Sequence, residues 1–419
     1  MWLYGGGEKK LRKEFIWLVL IGIVILIIVV GAEWMKVGQS EKPKSLVMTL
    51  KNSALTSRAF TWYTESPNAA SILQLVKGKN QDFDGQDVIT ITGSTTKVDV
   101  GNNHEQGAHK AEVTGLESGT VYSYRVGSGK DKEWSTTVSF TTESEEMEEF
   151  TFINVADSQG ITELDFDLWG KTMNKAFEIF PTAQFIVHNG DLTEEPEDEV
   201  AWDQFFGKAK NWLTQVPFMP VTGNHDEVKG LADRYTSHFN LPDNGANGSI
   251  EGTTYSFDYG SAHIAVLNTE SNIKEQTKWL EKDLAGTDKQ WKIVAMHRGA
   301  YGGKTYNKVD DWVSIFDQYD VDLVLQGHNH EYSRSYPLCD GKIVGDGGNI
   351  VNDREGTVYV VTNTAGQKFN EKKDDQFYHQ VHFQNQKQMF AGITIQADTL
   401  TFQAYDIDGE KLDEFVIQH

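Results

Sequence analysis

From residue 150 onward, five short apolar runs each end in residues able to bind a metal ion or move a proton. "FTFINVA" is followed by Asp157, Ser158 and Gln159, and "QFIVHNG" by Asp191. "PFMPVTG" is followed by Asn224, His225 and Asp226, "WKIVAM" by His297 and Arg298, and "VDLVLQG" by His328 and, one residue further, His330. Singly, these have ordinary explanations: an aspartate after a strand is commonly a helix cap, and an isolated His-x-His can be a turn. Five in succession, all oxygen or imidazole donors and none a thiolate, describe a rim suited to borderline or hard divalent cations. There are more donors than one such ion takes, so the rim suits two. A carboxylate lying between two cations can bridge them and lower their repulsion. Alternate residues after a strand diverge, so His328 and His330 can point at different ions.

These residues need a particular scaffold. The runs are rich in branched and aliphatic residues, as in strands covered on both faces, and sheets of that kind carry their chemistry at the carboxyl ends of the strands. Between them lie helical stretches such as "DFDLWGKTMNKAFEIF" and "EVAWDQFFGKAKNWL". The alternation predicts an α/β domain of layered sheets flanked by helices over 150–419. Ahead of it, "SRAFTWYTE", "DVITITG", "TKVDVG", "HKAEVTGLESGTVYSYRVGSG" and "WSTTVSFTT" read as strands of a small β-sandwich over 45–142. "VTGLESGTVYSYRV" resembles the end of a fibronectin type III-like domain. The acidic run 143–149 reads as a solvated hinge between the two. No internal repeat or low-complexity tract interrupts this order.

At 419 residues the chain is too long for one ordinary core. Its net charge of −23 argues against a general nucleic-acid surface and means that an anionic substrate needs local positive charge at the site. The lone cysteine, Cys339, excludes an intramolecular disulfide and a cysteine-rich zinc site. Residues 16–32, "IWLVLIGIVILIIVVGA", form an unbroken apolar run preceded by Lys9, Lys10, Arg12 and Lys13 and followed by no clear small-x-small cleavage site. This predicts a cytoplasmic basic N-terminus (1–15), an uncleaved signal anchor (16–32), a linker (33–44) and the remainder outside the cell membrane. Cleavage of the segment and secretion is the alternative.

The stretches "ADSQG", "HNGDLTEE", "VTGNHDE", "AMHRGAYGG", "GHNHEYSRSYP" and "GTVYVVTNTAG", with "TTYSFDYGSAHIAVLNTE" between the third and fourth, resemble the calcineurin-like metallophosphoesterases. The resemblance runs in order over about 45–419 and is closest to the purple acid phosphatase branch, which carries a fibronectin-like domain before the catalytic one. It implies that Asp157, Asp191 and His330 hold a first metal, and that Asp191, Asn224, His297 and His328 hold a second, with Asp191 bridging. Two positions depart from the pattern. Glu194 stands where the purple enzymes have a tyrosine, and Gln159 where many relatives outside the purple branch have a histidine. Gln159 either binds the first metal through its amide oxygen or holds a water. The ions are iron, manganese or zinc, and the missing tyrosine predicts no tyrosinate-to-iron colour.

In this scheme two cations acidify a bound water and neutralise the charge that grows on a phosphate ester under in-line attack. His225, untied to a metal, is placed to protonate the leaving group, with Asp226 to orient it and Arg298 to contact a phosphoryl oxygen. His188 reads as a packing residue and Tyr301, Tyr306 and Tyr332 as candidate borders of the substrate. The leading function is thus a membrane-anchored, extracellular phosphomonoesterase. A phosphodiesterase of the same fold acting on nucleotides or on lipid or cell-wall diesters is the second reading, and a non-enzymatic adhesion protein the third.

Overall fold

The computed structural model describes residues 39–419 apart from 346 and 353, together with 17 and 19. The anchor expected over 16–32 lies, but for those two residues, outside the described residues. Among the described residues no helix is long and apolar enough to cross a membrane.

Eight strands form the first domain: β1 (Lys44–Thr49), β2 (Arg58–Thr64), β3 (Ile72–Lys77), β4 (Ile89–Thr92), β5 (Ser94–Asp99), β6 (Glu105–Val113), β7 (Val121–Gly127) and β8 (Val138–Thr141). They make two four-stranded sheets, in the orders β1-β2-β6-β5 and β4-β3-β7-β8. Phe60, Trp62, Leu73, Leu75, Tyr124 and Phe140 fill the space between them. Every residue of β2 is buried, which half-exposed alternation would not give. The reason is a second contact face. Phe60 and Trp62 enter the sandwich, while Tyr63 on the opposite face stacks on His238 at 4.3 Å and donates to Ser237 Oγ at 2.6 Å. Lys44 Nζ and Ser45 Oγ both bond the Asp203 carboxylate, at 2.7 and 2.6 Å. The acidic run is not wholly solvated: Glu143 is buried and accepts the Gly260 N–H at 2.6 Å.

The second domain contains β9 (Glu149–Val155), β10 (Ile186–His188), β11 (Phe218–Pro220), β12 (Tyr255–Tyr259), β13 (Ala262–Leu267), β14 (Trp291–Arg298), β15 (Leu323–Gly327) and β16 (Tyr332–Ser335). They are followed by β17 (Leu338–Cys339), β18 (Lys342–Ile343), β19 (Ile350–Asn352), β20 (Val358–Val361), β21 (His379–Phe383), β22 (Met389–Gln396), β23 (Thr399–Asp406) and β24 (Lys411–Gln418). Two seven-stranded sheets result, ordered β11-β10-β9-β22-β23-β24-β19 and β12-β13-β14-β15-β20-β16-β21, and β17 pairs with β18 separately. β9, β10 and β11 are parallel in the first, and β13, β14, β15 and β20 in the second.

Strand periodicity divides the side chains between two cores. Ile293, Ala295, Leu323 and Leu325 join the large core with Phe152, Val155 and Val187. Their alternate neighbours Val294, Met296 and Val324 pack with Leu280, Leu284, Trp312 and Phe316 of the helices Ile273–Gly286 and Asp310–Gln318. On the first sheet, the helix Glu163–Ile179 buries Trp169, Met173 and Phe177. That helix starts at a capping box: Thr162 accepts the Asp165 N–H, and the Asp165 carboxylate takes the Thr162 N–H. The layered sheets and flanking helices match the expected architecture.

Candidate metal centre

All five strand ends open on one pocket or its floor. The chain leaves β9, β10 and β15 through backbone that side chains seldom adopt: φ is 54° at Asp157, 56° at Asp191, 70° at His328 and 52° at His330. Left-handed conformations at non-glycine residues cost free energy and cluster at functional sites. Here they turn four donors inward. Close backbone approach also demands glycine: a Cβ on Gly223 would lie 2.3 Å from Asp191 Oδ1.

The donors fall into two groups that share a residue. Asp157, Asp191 and His330 offer ligand atoms within 4.8 Å of one another, and so do Asp191, His297 and His328. In each imidazole one nitrogen is tied to an outer partner, which fixes the ring and leaves the other facing inward. His297 Nδ1 donates to Asn189 O at 2.8 Å, and its Nε2 lies 3.1 Å from Asp191 Oδ2 and 3.2 Å from Asn224 Oδ1. His330 Nδ1 donates to Lys368 O at 2.7 Å, and its Nε2 lies 3.4 Å from Asp157 Oδ1. His328 is turned the other way: Nε2 accepts from Arg298 Nη1 at 2.9 Å, and Nδ1 faces His297 Nε2 at 3.3 Å. His328 and His330 therefore serve different groups, as their alternation implied.

The electrostatics are those of a site built for cations. Asp157 and Asp191 are buried. Burial pushes the Asp157 carboxyl up, with the Asp191 charge adding to the rise. Burial opposes ionisation of Asp191 too, yet His297 and the His225 N–H hold it below the ordinary carboxylate range. His297 answers in kind: burial alone would lower it, but Asp191 lifts it to about 10. His328 is held down to about 3 by burial and by His297 and Arg298 beside it, so its ring is neutral and ready to ligate. Gln159 is buried, its Nε2 lies 3.5 Å from Asp191 Oδ2, and its Oε1 has no hydrogen-bond partner. A buried amide oxygen without a partner is costly in a metal-free protein and natural beside a cation. These donors fit a pair of metal ions.

Above the floor is a cavity of about 300 Å³ lined by Gln159, Asp191, Asn224, His225, Arg298, His328 and His330. The rest of its wall is Gly299, Lys304, Thr305, Asn329, Lys368, Asn370 and Lys373, which were not anticipated, and Tyr306, which was. Lys368 and Asn370 follow β20, which runs parallel to β15, so a sixth strand end delivers them to the same rim. His225 Nδ1 donates to Glu194 O at 2.7 Å, which leaves Nε2 as its free nitrogen. Glu194 itself lies 3.3 Å from Lys368 Nζ.

Several expected roles change. Asp226 does not orient His225. The chain turns after Gly223 and folds the carboxylate back, where it accepts the N–H groups of Asp191 (2.7 Å), Gly223 (2.8 Å) and Leu192 (3.1 Å). Burial and the Asp191 charge raise it to about 7. Arg298 lines the pocket but is held by Glu270 at 2.8 Å and spends a donor on His328. Of the three tyrosines only Tyr306 lines the pocket. Tyr332 is buried and donates to Asp413 at 2.7 Å, and Tyr301 packs on Tyr359 and Tyr378. His188 is a packing residue, bonded to Ser158 Oγ at 2.9 Å and held by burial at about 3.

The comparisons with known proteins agree with this geometry. The calcineurin-like phosphoesterase family matches residues 151–332, and the purple acid phosphatase N-terminal domain matches residues 43–142. An uncharacterised protein of Mycobacterium tuberculosis is 30% identical over 221 residues, 43% of this chain and 42% of that protein. Acid phosphatase type 7 of Mus musculus is 25% identical over 297 residues, 62% of this chain and 64% of that protein. The chain thus spans less than two thirds of either relative. In three dimensions it resembles purple acid phosphatase PPD1 from yellow lupin (Lupinus luteus) seeds. The TM-score is 0.78 at 18% identity, over 91% of this chain and 75% of that one. Residues 151–332 thus form a calcineurin-like phosphoesterase domain behind a purple acid phosphatase N-terminal domain at residues 43–142, on a fold like that of a purple acid phosphatase.

Proposed function

We propose that this protein is a dinuclear-metal phosphohydrolase acting on phosphomonoesters, anchored by its apolar segment with the catalytic domain outside the cell. The observation that carries the reading is the pair of donor groups joined through Asp191 on the floor of a cation-rimmed pocket, in a chain of net charge −23. Asp157, Gln159, Asp191 and His330 would hold one ion, and Asp191, Asn224, His297 and His328 the other. Bound there, the pair would supply an acidified water and positive charge against the phosphoryl oxygens. The protein's own groups do the rest. Lys304 and Lys373 line the pocket and have no side-chain ion pair among the described residues, so they attract an anionic ester into an otherwise acidic protein. His225 Nε2 carries the proton for the leaving oxygen, with the ring steered by the Glu194 carbonyl. Arg298 acts through His328, whose outer nitrogen it holds, and is a positioning residue rather than a substrate clamp.

A phosphomonoester dianion gains more from this rim than a diester monoanion. A panel of aryl mono- and diesters, assayed with added manganese, iron or zinc, is expected to give a higher kcat/KM for the monoesters. A consistent preference for diesters would replace this reading with the phosphodiesterase one.

Glu194 pairs with Lys368, and neither candidate tyrosine stands in for the missing one: Tyr332 is committed to Asp413, and Tyr306 donates to Thr269 O at 3.3 Å. The iron-loaded protein is therefore expected to lack an intense visible band of tyrosinate origin. Such a band in its absorption spectrum would contradict the placement of the first ion.

With Lys9 to Lys13 retained inside, protease added to intact cells should digest the catalytic domain, and the chain should fractionate with membranes. Recovery of a shortened, soluble chain from the medium would mean that the apolar segment is cleaved.

A further inference from the structure

A third donor cluster shares no residue with the two at the pocket floor. It has the spacing Asp375-x3-His379-x2-His382, and ligand atoms from the three lie within 4.8 Å of one another. In a regular strand, residues three apart face opposite sides. β21 is not regular: its pairing with β16 shifts register between Arg334↔Val381 and Ser335↔His379. A bulge of this kind re-aims a side chain. As a result the His379 and His382 rings meet with centroids 4.0 Å apart.

The cluster already draws a cation, since Lys372 Nζ lies 2.5 Å from Asp375 Oδ1. His382 Nδ1 lies 2.8 Å from Asp375 Oδ1, and its Nε2 lies 3.3 Å from Glu331 Oε2. Glu331 is fully buried, directly after the pocket histidine His330. Its Oε2 also accepts the Lys373 N–H at 2.8 Å, so Glu331 holds the His382 ring from the Nε2 side while Nδ1 faces Asp375. A carboxylate on the outer nitrogen of an imidazole fixes the ring and leaves the other nitrogen to ligate. His379 is set up as a neutral ligand: its Nε2–H donates to Gly302 O at 2.9 Å, leaving the lone pair on Nδ1, which receives only the exposed Gln376 N–H at 3.1 Å.

We infer that Asp375, His379 and His382 form a separate divalent-cation site, with Glu331 holding the His382 ring from its outer nitrogen. Two imidazoles, one carboxylate and no thiolate match zinc or a similar borderline ion, and three protein ligands leave the fourth position to water. Its place in the fold states its task. The loop carrying Lys368, Asn370 and Lys373 enters β21 here, and Gly302, bonded by His379 and by the Tyr378 hydroxyl at 2.8 Å, leads directly to Lys304 and Tyr306. An ion at this point would staple together two loops that form the pocket wall.

The test is metal counting on the purified full-length chain, loaded with zinc and freed of excess by gel filtration. His379→Gln with His382→Gln should hold one equivalent less than the wild type, a difference that does not depend on what the Asp191 groups retain. Equal metal content in the two proteins would overturn the inference and leave His382 as an ion-paired histidine between two carboxylates. If the double variant fails to fold, Asp375→Asn at an exposed position serves instead. It should weaken zinc binding at this site by roughly tenfold or more. Unchanged zinc titrations of that variant would overturn the inference equally.

Discussion

His225→Ala is expected to lower kcat by roughly 10²–10⁴-fold on alkyl phosphates, the range that a positioned general acid contributes. On an aryl phosphate with an acidic leaving group the loss should be far smaller, because that oxygen departs without help. The asymmetry is the signature. It follows from a ring whose Nδ1 is occupied by the Glu194 carbonyl, so that only Nε2 remains for the substrate. The backbone N–H of the same residue donates to Asp191 Oδ1 at 2.8 Å, and the alanine variant keeps that bond. Steady-state rates across a leaving-group series make the check. Equal losses on all members would assign His225 a positioning role.

Asp191→Asn is expected to reduce turnover by about 10³-fold or more, corresponding to the several kcal/mol of charge stabilisation that a metal pair supplies. Asparagine is nearly isosteric and still accepts the His225 N–H, so the loop should survive. What disappears is the charge common to both donor groups. The wild-type Tm should rise when metal is added, since a ligand that binds only the folded state stabilises it by mass action. The variant's Tm should respond weakly. Thermal melts with and without metal, beside the rate measurement, separate this from unfolding. Normal turnover with full metal content would remove Asp191 from the bridge.

The parts of this molecule legible from sequence are those that strand periodicity and strand ends control. Runs such as "WKIVAM" and "VDLVLQG" had to be buried on both faces, and their carboxyl ends had to meet, because parallel strands in facing sheets deliver their ends to one edge. The illegible parts depend on local turns. Asp226 adjoins His225, yet a tight turn after Gly223 sends its carboxylate back to three backbone N–H groups. Arg298 adjoins His297, yet Glu270 claims it from another loop. Lysines on loops look alike in a sequence, so Lys304, Lys368 and Lys373 gave no signal until the fold brought them around one cavity. The pairing of His379 with His382 required a bulge that no periodicity announces.

The central claim is that two ions sit on either side of one carboxylate. An anomalous-difference map from crystals of the metal-loaded protein tests it most directly. Two peaks flanking Asp191 are expected, one toward Asp157 and His330 and the other toward His297 and His328. A single peak at the pocket floor, or two that do not share Asp191, would contradict it.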